Sequence, residues 1–365
     1  MTRRSDRGTP RDFGYRTRMR SRVLAFGVLV LLAGCEGAEA PAAPATMAVT
    51  EAPSPVPSPS PSPGATSTPW GCADPPGCYA EPVQLGSFDA EEIPEASGLA
   101  ASVRNPGLFY VLDDGPDTTA VHVVRADASM VGAVEVEGMN GRDTEDMAVA
   151  PCGPGEAESC VYVGDIGDGR KRRDDIVVYR FPEPDLTAGV PDEPVEASVA
   201  RYTYPDRPHE AETLLVSAAG VPYIVTKDPG QTGDEPGEGA ALLYGAEEFA
   251  DGVLNDLGPV AVPQPAEVVR SARRGVVVTA GDSRPGRVLL RTNDSAVEFV
   301  APDPDADLEG FPDWPAVEVP VKRQPQPESI AYLAQGCGFI SASEGTGNLW
   351  LTPCDGADLP TAPGG

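Results

Sequence analysis

The chain contains few of the residues and motifs on which common catalytic centres depend. It has only two histidines, and His209-Glu210 is not followed by the second histidine that a HExxH motif requires. It has no Gly-x-Ser-x-Gly elbow and no glycine-rich phosphate loop. Its cysteines do not follow CxxC or Cys/His metal spacing. The sequence therefore argues against a serine hydrolase, a P-loop protein and a zinc site.

Basic residues are also scarce. The 365 residues include 27 Lys and Arg against 56 Asp and Glu, which gives a formal net charge of −29. Eight of the arginines fall in the first 34 residues, so the remainder is more acidic still. Such a surface repels nucleic acid and anionic lipid, and it attracts cations and basic partners. We therefore exclude nucleic acid as a partner.

Apolar residues form one notable run, near the N-terminus. Residues 23–32 are apolar, but the run is too short to span a bilayer and fits the central part of an export signal. Leu32-Ala33-Gly34-Cys35 follows it and resembles the bacterial lipobox, in which the cysteine is diacylated and becomes the mature N-terminus. We predict that residues 1–34 are a lipoprotein signal peptide and that Cys35 anchors the exported chain to the outer face of a bacterial membrane. An ordinary signal with a chance cysteine is the alternative, and the start codon is open between Met1 and Met19.

Residues 35–69 form a predicted linker. They contain nine prolines among Ser, Ala and Thr, and almost no bulky apolar side chains. Such a segment cannot bury a core and stays extended, at roughly 3.1 Å per residue. It would hold a folded domain at residues 70–358 up to about 100 Å from the membrane. Residues 359–365 are predicted to be a disordered tail.

The six cysteines other than Cys35 lie in three close pairs. Export permits disulfides, and local pairing is the simplest of the fifteen possible connectivities. The predicted disulfides are Cys72–Cys78, Cys152–Cys160 and Cys337–Cys354.

The folded region repeats one pattern of short strands. Each unit opens with an acidic residue and an apolar strand, continues with a strand that ends in acid, and adds a third and in most cases a fourth strand. This pattern predicts an all-β propeller of five four-stranded blades, with six as the alternative. The fourth unit opens either at Glu267 or at Asp282, and we favour Asp282 because that register also uses residues 316–319. The last unit lacks a fourth strand, and residues 83–88 are predicted to supply it and close the ring.

Five segments carry a resemblance to known proteins: Glu95–Leu99, Asp143–Asp146, Tyr162–Asp168, Glu210–Glu212 and Pro327–Ala331. On these segments, residues 83–355 resemble secreted bacterial β-propellers of the SMP-30/NHL-like and esterase-like phytase families. The resemblance implies a propeller fold, and it suggests a hydrolase of phosphoester, ester or lactone substrates.

The repeat predicts two sets of acids on one face. In an antiparallel meander, the start of the first strand and the end of the second lie at the same end. The inner set, expected around the mouth of the central channel, is Glu95, Glu145, Glu212, Asp282 and Glu328. The outer set is Asp114, Asp165, Asp168, Asp228 and Glu344.

Facing carboxylates either raise each other's pKa or require a cation, and hard oxygen ligands suit Ca²⁺ or Mg²⁺. These acids are therefore candidate ligands for Ca²⁺, and capping of the inner strands through backbone N–H groups is the favoured alternative. His209 lies beside the sets and is a candidate general base, with a structural role as the alternative. The basic run 170–173 is either an anion-binding loop or an exposed loop.

Two functions remain open from the sequence. The first is a tethered binding module for a protein or an envelope polymer, with Ca²⁺ at the acidic face, and it is favoured by the missing nucleophile and the long linker. The second is a metal-dependent hydrolase, which the acids and the family resemblance suggest.

The lipid anchor can be tested at its single cysteine. Cys35→Ala should block acylation and release or mislocalise the protein, because two acyl chains give stable membrane attachment and the substitution removes them. Mass spectrometry of the mature protein checks this, and an N-terminus other than acylated Cys35 would contradict the prediction.

Overall fold

The computed structural model describes residues 78–227, 241–263, 277–335 and 337–354, all within the unit Ser62–Gly365. The predicted signal peptide 1–34, linker 35–69 and tail 359–365 lie outside the described residues. So do Cys35, Cys72 and Asp228, and the Glu267 of the alternative register. No helix in the described ranges is long and apolar enough to cross a membrane.

Five antiparallel four-stranded sheets form the described part of the chain. Blades 1 to 3 consist of β2 Ala96–Ala101, β3 Leu108–Asp113, β4 Ala120–Arg125 and β5 Met130–Glu137; β6 Thr144–Pro151, β7 Ser159–Asp165, β8 Ile176–Pro182 and β10 Ser198–Thr203; and β11 Ala211–Val216, β12 Pro222–Thr226, β13 Ala241–Gly245 and β15 Asn255–Val260. Blades 4 and 5 consist of β16 Val278–Arg284, β17 Arg287–Thr292, β18 Ala296–Val300 and β19 Ala316–Val319; and β20 Ser329–Tyr332, β21 Gly338–Ala342, β22 Asn348–Pro353 and β1 Val83–Ser87. The five-bladed β-propeller is therefore confirmed.

Short additions extend two of the blades. β9 (Val195–Glu196) pairs with β5 of blade 1, and β14 (Gly252–Val253) pairs with β10 of blade 2, both in parallel. A 3₁₀ helix, Leu308–Asp313, lies between β18 and β19, and its Phe311 packs edge-on against Phe299.

The N-terminal strand closes the ring. β1 pairs with β22 of the last blade, with Val83 opposite Leu351. Blade 5 is thus built from both ends of the folded region, as the sequence predicted. Blade 4 follows the favoured register, with β19 as its outer strand, but its inner strand starts at Val278 rather than at Asp282.

Apolar side chains pack between adjacent blades. Five buried clusters occur among the described residues, one at each blade interface. At the interface that closes the ring, Leu99 of blade 1 packs in the same cluster as Ile340 and Leu351 of blade 5. The inner strands β2 and β11 are buried along their whole length, and this burial includes the polar residues Ser97, Glu212 and Thr213. Fully burying a Leu or Ile side chain contributes about 1.5–3 kcal/mol, so these interfaces supply the main driving force for the ring.

Side chains also join the inner strands around the axis. Asp146 of β6 is fully buried, and its Oδ2 accepts the N–H of Leu214 at 2.9 Å and that of Gly281 at 3.4 Å. Asp282 of β16 accepts the N–H of Tyr332 at 2.7 Å. Inner strands of different blades share no ladder, so these carboxylates satisfy backbone donors that would otherwise be buried without partners.

Two of the three predicted disulfides are confirmed. Cys152–Cys160 joins the ends of β6 and β7 within blade 2, and Cys337–Cys354 lies within blade 5. The third predicted pair includes Cys72, which is outside the described residues.

The blade 2 disulfide should stabilise the domain measurably. Replacing both Cys152 and Cys160 with Ala should lower the free energy of unfolding by about 2–3 kcal/mol, because the cross-link restricts a short loop of the unfolded chain. Denaturant unfolding of the two proteins checks this. Peptide mapping under non-reducing conditions should link Cys152 to Cys160, and a cross-link between different blades would contradict the assignment.

Candidate functional site

Five carboxylates come together on the face of the propeller formed by blades 1 to 3. They form two triplets that share Glu145, and the ligand oxygens within each triplet lie within 4.8 Å of one another. We call these five residues the carboxylate cluster: Asp114, Asp143, Glu145, Glu210 and Glu212. The triplets are Asp114, Asp143 and Glu145, and then Glu145, Glu210 and Glu212.

A recurrent bulge places the two glutamates of the inner strands. The pairing of β6 with β7 shifts register between Thr144 and Asp146, and that of β11 with β12 shifts between Ala211 and Thr213. Glu145 and Glu212 are the extra residues at these two irregularities. A bulge bends the strand and redirects the side chain it carries. Both carboxylates therefore leave the ladder and reach the cluster.

The matching bulge of blade 4 explains why Asp282 is absent from the cluster. Its register shifts between Val278 and Ala280, so Thr279 takes the equivalent position and donates its hydroxyl to the Pro327 carbonyl at 2.6 Å. Asp282 lies farther along β16, where its carboxylate accepts the N–H groups of Ser283 and Tyr332, both at 2.7 Å. Asp282 therefore lies three residues beyond the bulge position, and its carboxylate connects β16 to β20 instead of joining the cluster. Burial raises its pKa to about 7.

Asp143, Glu210 and Lys227 were not predicted as site residues from the sequence. The first two lie directly before β6 and β11 and precede the bulged Glu145 and Glu212 by two residues, so the same acid-x-Glu spacing occurs in both blades. The acid-x-Glu spacing was therefore a usable signal for both. No comparable signal pointed to Lys227.

Lys227 provides a cation inside the cluster. It directly follows β12, and its ammonium contacts one carboxylate oxygen of Glu212. The Glu212 side chain is only 4% exposed, and its other oxygen, Oε2, has no hydrogen-bond partner among the described residues. Burial raises the pKa of Glu145, Glu210 and Asp143, and the charge of Lys227 opposes part of that rise. At Asp143 the nearby Arg173 opposes it more strongly than Lys227 does.

Burial and mutual repulsion raise the pKa values of the cluster. Burial, followed by the charges of Asp114 and Asp143, raises the pKa of Glu145 well above its usual range. Burial and Asp143 raise the pKa of Asp114 to about 7. Burial also raises the pKa of Asp143 and of Glu210. A divalent cation would compete with these protons, because it favours the ionised carboxylates.

Glu328 and Glu344 form a carboxyl pair on blade 5. Burial, followed by the hydrogen bond that the protonated Glu328 donates to Glu344, raises the pKa of Glu328 to about 7. Neither residue belongs to the two triplets. Glu95 is exposed and also lies outside the triplets. Of the predicted inner set, the structure therefore brings together only Glu145 and Glu212.

Asp165 and Asp168 of the predicted outer set hold the loop that follows β7. Asp165 forms an ion pair with Arg173 at 2.6 Å, and both side chains are buried. The Asp168 carboxylate accepts the N–H groups of Arg172 and Arg173. Among the outer-set residues that the structure describes, only Asp114 contributes to the cluster.

His209 is enclosed beneath the surface. Its ring is fully buried, and Nε2 lies 2.8 Å from the Tyr244 hydroxyl and 3.1 Å from both oxygens of Asp206. The rings of Tyr204 and Tyr244 pack around it at 4.9 and 5.1 Å. These contacts are typical of a histidine that supports structure.

Comparison with known proteins gives distant resemblances only. No family model matches the chain, and no curated protein does. The PQQ-bound aldose sugar dehydrogenase from Streptomyces coelicolor is 12% identical to this chain, with a TM-score of 0.40. The match covers 74% of this chain and 96% of the dehydrogenase. The WD40 domain of Neurospora crassa Pan2 is 10% identical, with a TM-score of 0.37, and the match covers 76% of this chain and 97% of that domain. Neither likeness carries an argument about function, and the assignment of the chain as a β-propeller rests on its own strand pairing.

The protonated carboxyls predict an unusual pH dependence. A raised pKa in the folded state means that the folded state binds more protons than the unfolded state, so stability falls as the pH rises from about 4 to about 7. Asp114→Asn removes one such group, whose ordinary pKa is 3.8. In EDTA, the melting temperature of the variant should fall less than that of the wild type as the pH rises across this range.

Asp117→Asn provides the matched control. Asp117 is exposed in the same turn, and asparagine tolerates its positive φ of 65°. This variant should follow the wild-type pH profile. Identical profiles for Asp114→Asn and the wild type would contradict the electrostatic description of the cluster.

Proposed function

We propose that the protein is a lipid-anchored extracytoplasmic binding module that holds Ca²⁺ at the carboxylate cluster and captures a protein or an envelope polymer there. The observation that carries the proposal is the convergence of five carboxylates around the shared Glu145. The predicted acyl chains at Cys35 and the linker 35–69 support the tethered placement, because together they would hold the propeller away from the bilayer.

The chemistry of the cluster suits Ca²⁺. This ion takes six to eight oxygen ligands at about 2.3–2.6 Å, so oxygens on opposite sides of one ion lie up to about 5 Å apart. The 4.8 Å limit that holds within each triplet is compatible with that spacing. Glu212 adds an independent indication, since a buried carboxylate oxygen without a hydrogen-bond partner is costly and a bound cation would compensate it. Ca²⁺ would have to displace the Lys227 ammonium or share the cluster with it.

The binding function is favoured over catalysis by the surroundings of the cluster. His209 is held by Asp206 and Tyr244, and His122 lies in β4 with its pKa lowered by burial. All the described cysteines take part in disulfides. Propellers present a broad face assembled from loops of several blades, which suits recognition of an extended partner.

A metal-dependent hydrolase of phosphoester, ester or lactone substrates is the second candidate. One observation favours it: a carboxyl with a pKa of about 7, as at Asp114, can both donate and accept a proton near neutral pH. A cation held by Glu145 and Glu212 would supply Lewis acidity to a bound substrate. Screening the purified domain with generic phosphatase, esterase and lactonase substrates, with Ca²⁺ or Mg²⁺ present, separates this candidate from the first.

Calcium binding can be tested by thermal stability. Added Ca²⁺ should raise the melting temperature of the domain by mass action, which corresponds to about 2.7 kcal/mol at a concentration of 100 Kd. Glu212→Gln should abolish the shift, because it removes the carboxylate that is proposed to bind Ca²⁺ and that contacts the Lys227 ammonium. Lys227→Met should enlarge the shift, because it removes the competing ammonium.

Glu95→Gln is the control for this experiment. It removes the same charge at a residue that the sequence places beside Glu212 but that the structure leaves exposed and outside the triplets. Its Ca²⁺ shift should persist close to that of the wild type, because Glu95 supplies no ligand and acts on the cluster only through its charge at Asp114. A wild-type protein without any Ca²⁺ shift at millimolar concentration would end the calcium proposal.

A further inference from the structure

A cleft lined by arginines lies directly beside the carboxylate cluster. It has a volume of about 420 Å³, and its lining includes Arg142, Arg170, Arg172 and Arg173 together with Asp143 of the cluster. We call it the arginine cleft. We propose that the arginine cleft binds a tetrahedral oxyanion, a phosphate or sulfate group carried by the ligand of the propeller. This inference deepens the proposed function and rests on it, because it assigns a chemical group to the ligand that the propeller captures.

The charge of the cleft contrasts with the rest of the protein. The chain has a formal net charge of −29, so most of its surface repels anions. Arg142, Arg170 and Arg172 are exposed around the cleft and concentrate positive charge at one place. An anionic group approaching the acidic propeller would therefore be favoured there.

Arg173 supplies a donor that the protein leaves unused. The residue is 9% exposed, and its Nη1 donates to Asp165 at 2.6 Å and to the Gly167 carbonyl at 3.0 Å. Its Nε donates to the Asp175 carbonyl at 3.0 Å. The buried Nη2 has no hydrogen-bond partner among the described residues. Buried donors are normally satisfied, so an acceptor in the cleft would complete this guanidinium.

The backbone fixes the spacing of the arginines. Asp168 accepts the N–H groups of Arg172 and Arg173, and its carbonyl accepts the N–H of Lys171 at 2.7 Å. Lys171 has a φ of +51°, a left-handed conformation that is uncommon for lysine. Backbone strain of this kind persists where the surroundings enforce it, and it occurs often at binding sites. The loop 168–173 is thus held in one shape before any ligand binds.

The number of guanidinium groups selects the geometry of the anion. A carboxylate offers two oxygens, and a single arginine can bind both of them. Phosphate and sulfate offer three or four acceptor oxygens, which matches a cleft lined by several arginines. A divalent cation at Asp143 and Glu145 would lie beside the same group and strengthen its binding, so the two sites would hold one ligand together.

Isothermal titration with inorganic phosphate in EDTA tests the cleft without the cation. The wild-type domain should bind phosphate, and Arg170→Gln and Arg172→Gln should each weaken binding about tenfold, since each removes a charge-assisted hydrogen bond. Arg207→Gln is the matched control, because Arg207 is exposed and outside the cleft. It should bind as the wild type does. All three variants should keep the wild-type melting temperature.

Repeating the titration in Ca²⁺ distinguishes the two proposals. Arginine-dependent binding in EDTA without any Ca²⁺ shift in stability would retain the cleft and contradict the calcium site. Binding that requires Ca²⁺ and is unchanged in Arg170→Gln and Arg172→Gln would contradict the cleft and retain the calcium site. No phosphate binding in either condition, or equal weakening by Arg207→Gln, would overturn the inference.

A second probe identifies the source of the oxyanion. A glycerol-phosphate oligomer presents phosphodiesters in series, as a phosphate-bearing envelope polymer does, whereas inorganic phosphate represents the free ion. Tighter binding of the oligomer than of inorganic phosphate, lost in Arg172→Gln, would indicate a polymeric ligand. Preference for the inorganic ion would indicate a small phosphate ligand at the same cleft.

Discussion

The five inner strands converge on one axis without sharing a hydrogen-bonded ladder, so some of their buried N–H groups need partners other than a neighbouring strand. The rest of the molecule depends on the side chains that supply these partners. Asp146 receives N–H groups from β11 and β16 while standing on β6, so one carboxylate connects three blades. Asp282 connects β16 to β20 in the same way. Gly98 permits the close approach of β2 to β6, because a side chain there would meet the Met147 nitrogen at 2.9 Å. Burial raises the pKa of Asp146 well above its usual range, and the backbone donors offset part of the cost of that burial.

Acidic residues have two distinct roles in this propeller. Some are consumed by the fold: Asp146 and Asp282 bond inner strands, and Glu298 accepts hydrogen bonds from the hydroxyls of Tyr79 and Tyr332. The carboxylate cluster differs, because its members face one another and one oxygen of the buried Glu212 lacks a partner. The position of the β-bulge separates the two roles. Blades 2 and 3 carry glutamate at the bulge, whereas blade 4 carries Thr279.

The cluster can balance its negative charge in three ways. Protons do so where burial has raised the pKa of Asp114 and Glu145, and the Lys227 ammonium does so at Glu212. A divalent cation is the third way, and it would compete with the other two. The occupancy of the site is therefore coupled to pH and to the position of a single lysine. The arginine cleft next to Asp143 extends this arrangement, since an anion held there would interact with whichever cation the cluster contains.

The sequence by itself determined the blade pattern, the closing strand and two disulfides, and it favoured five blades over six. These features depend on local signals: alternating short strands, turn residues at their ends and cysteines close along the chain. It also pointed to Glu145, Glu212 and Asp114, because the ends of adjacent antiparallel strands must meet at one face. Only the tertiary structure decided which acids share a site. Asp282 was predicted at a strand start, but β16 begins at Val278, and packing against neighbouring blades fixes that offset. Lys227, His209 and the loop 168–173 take their roles from contacts between distant segments, which no local pattern records.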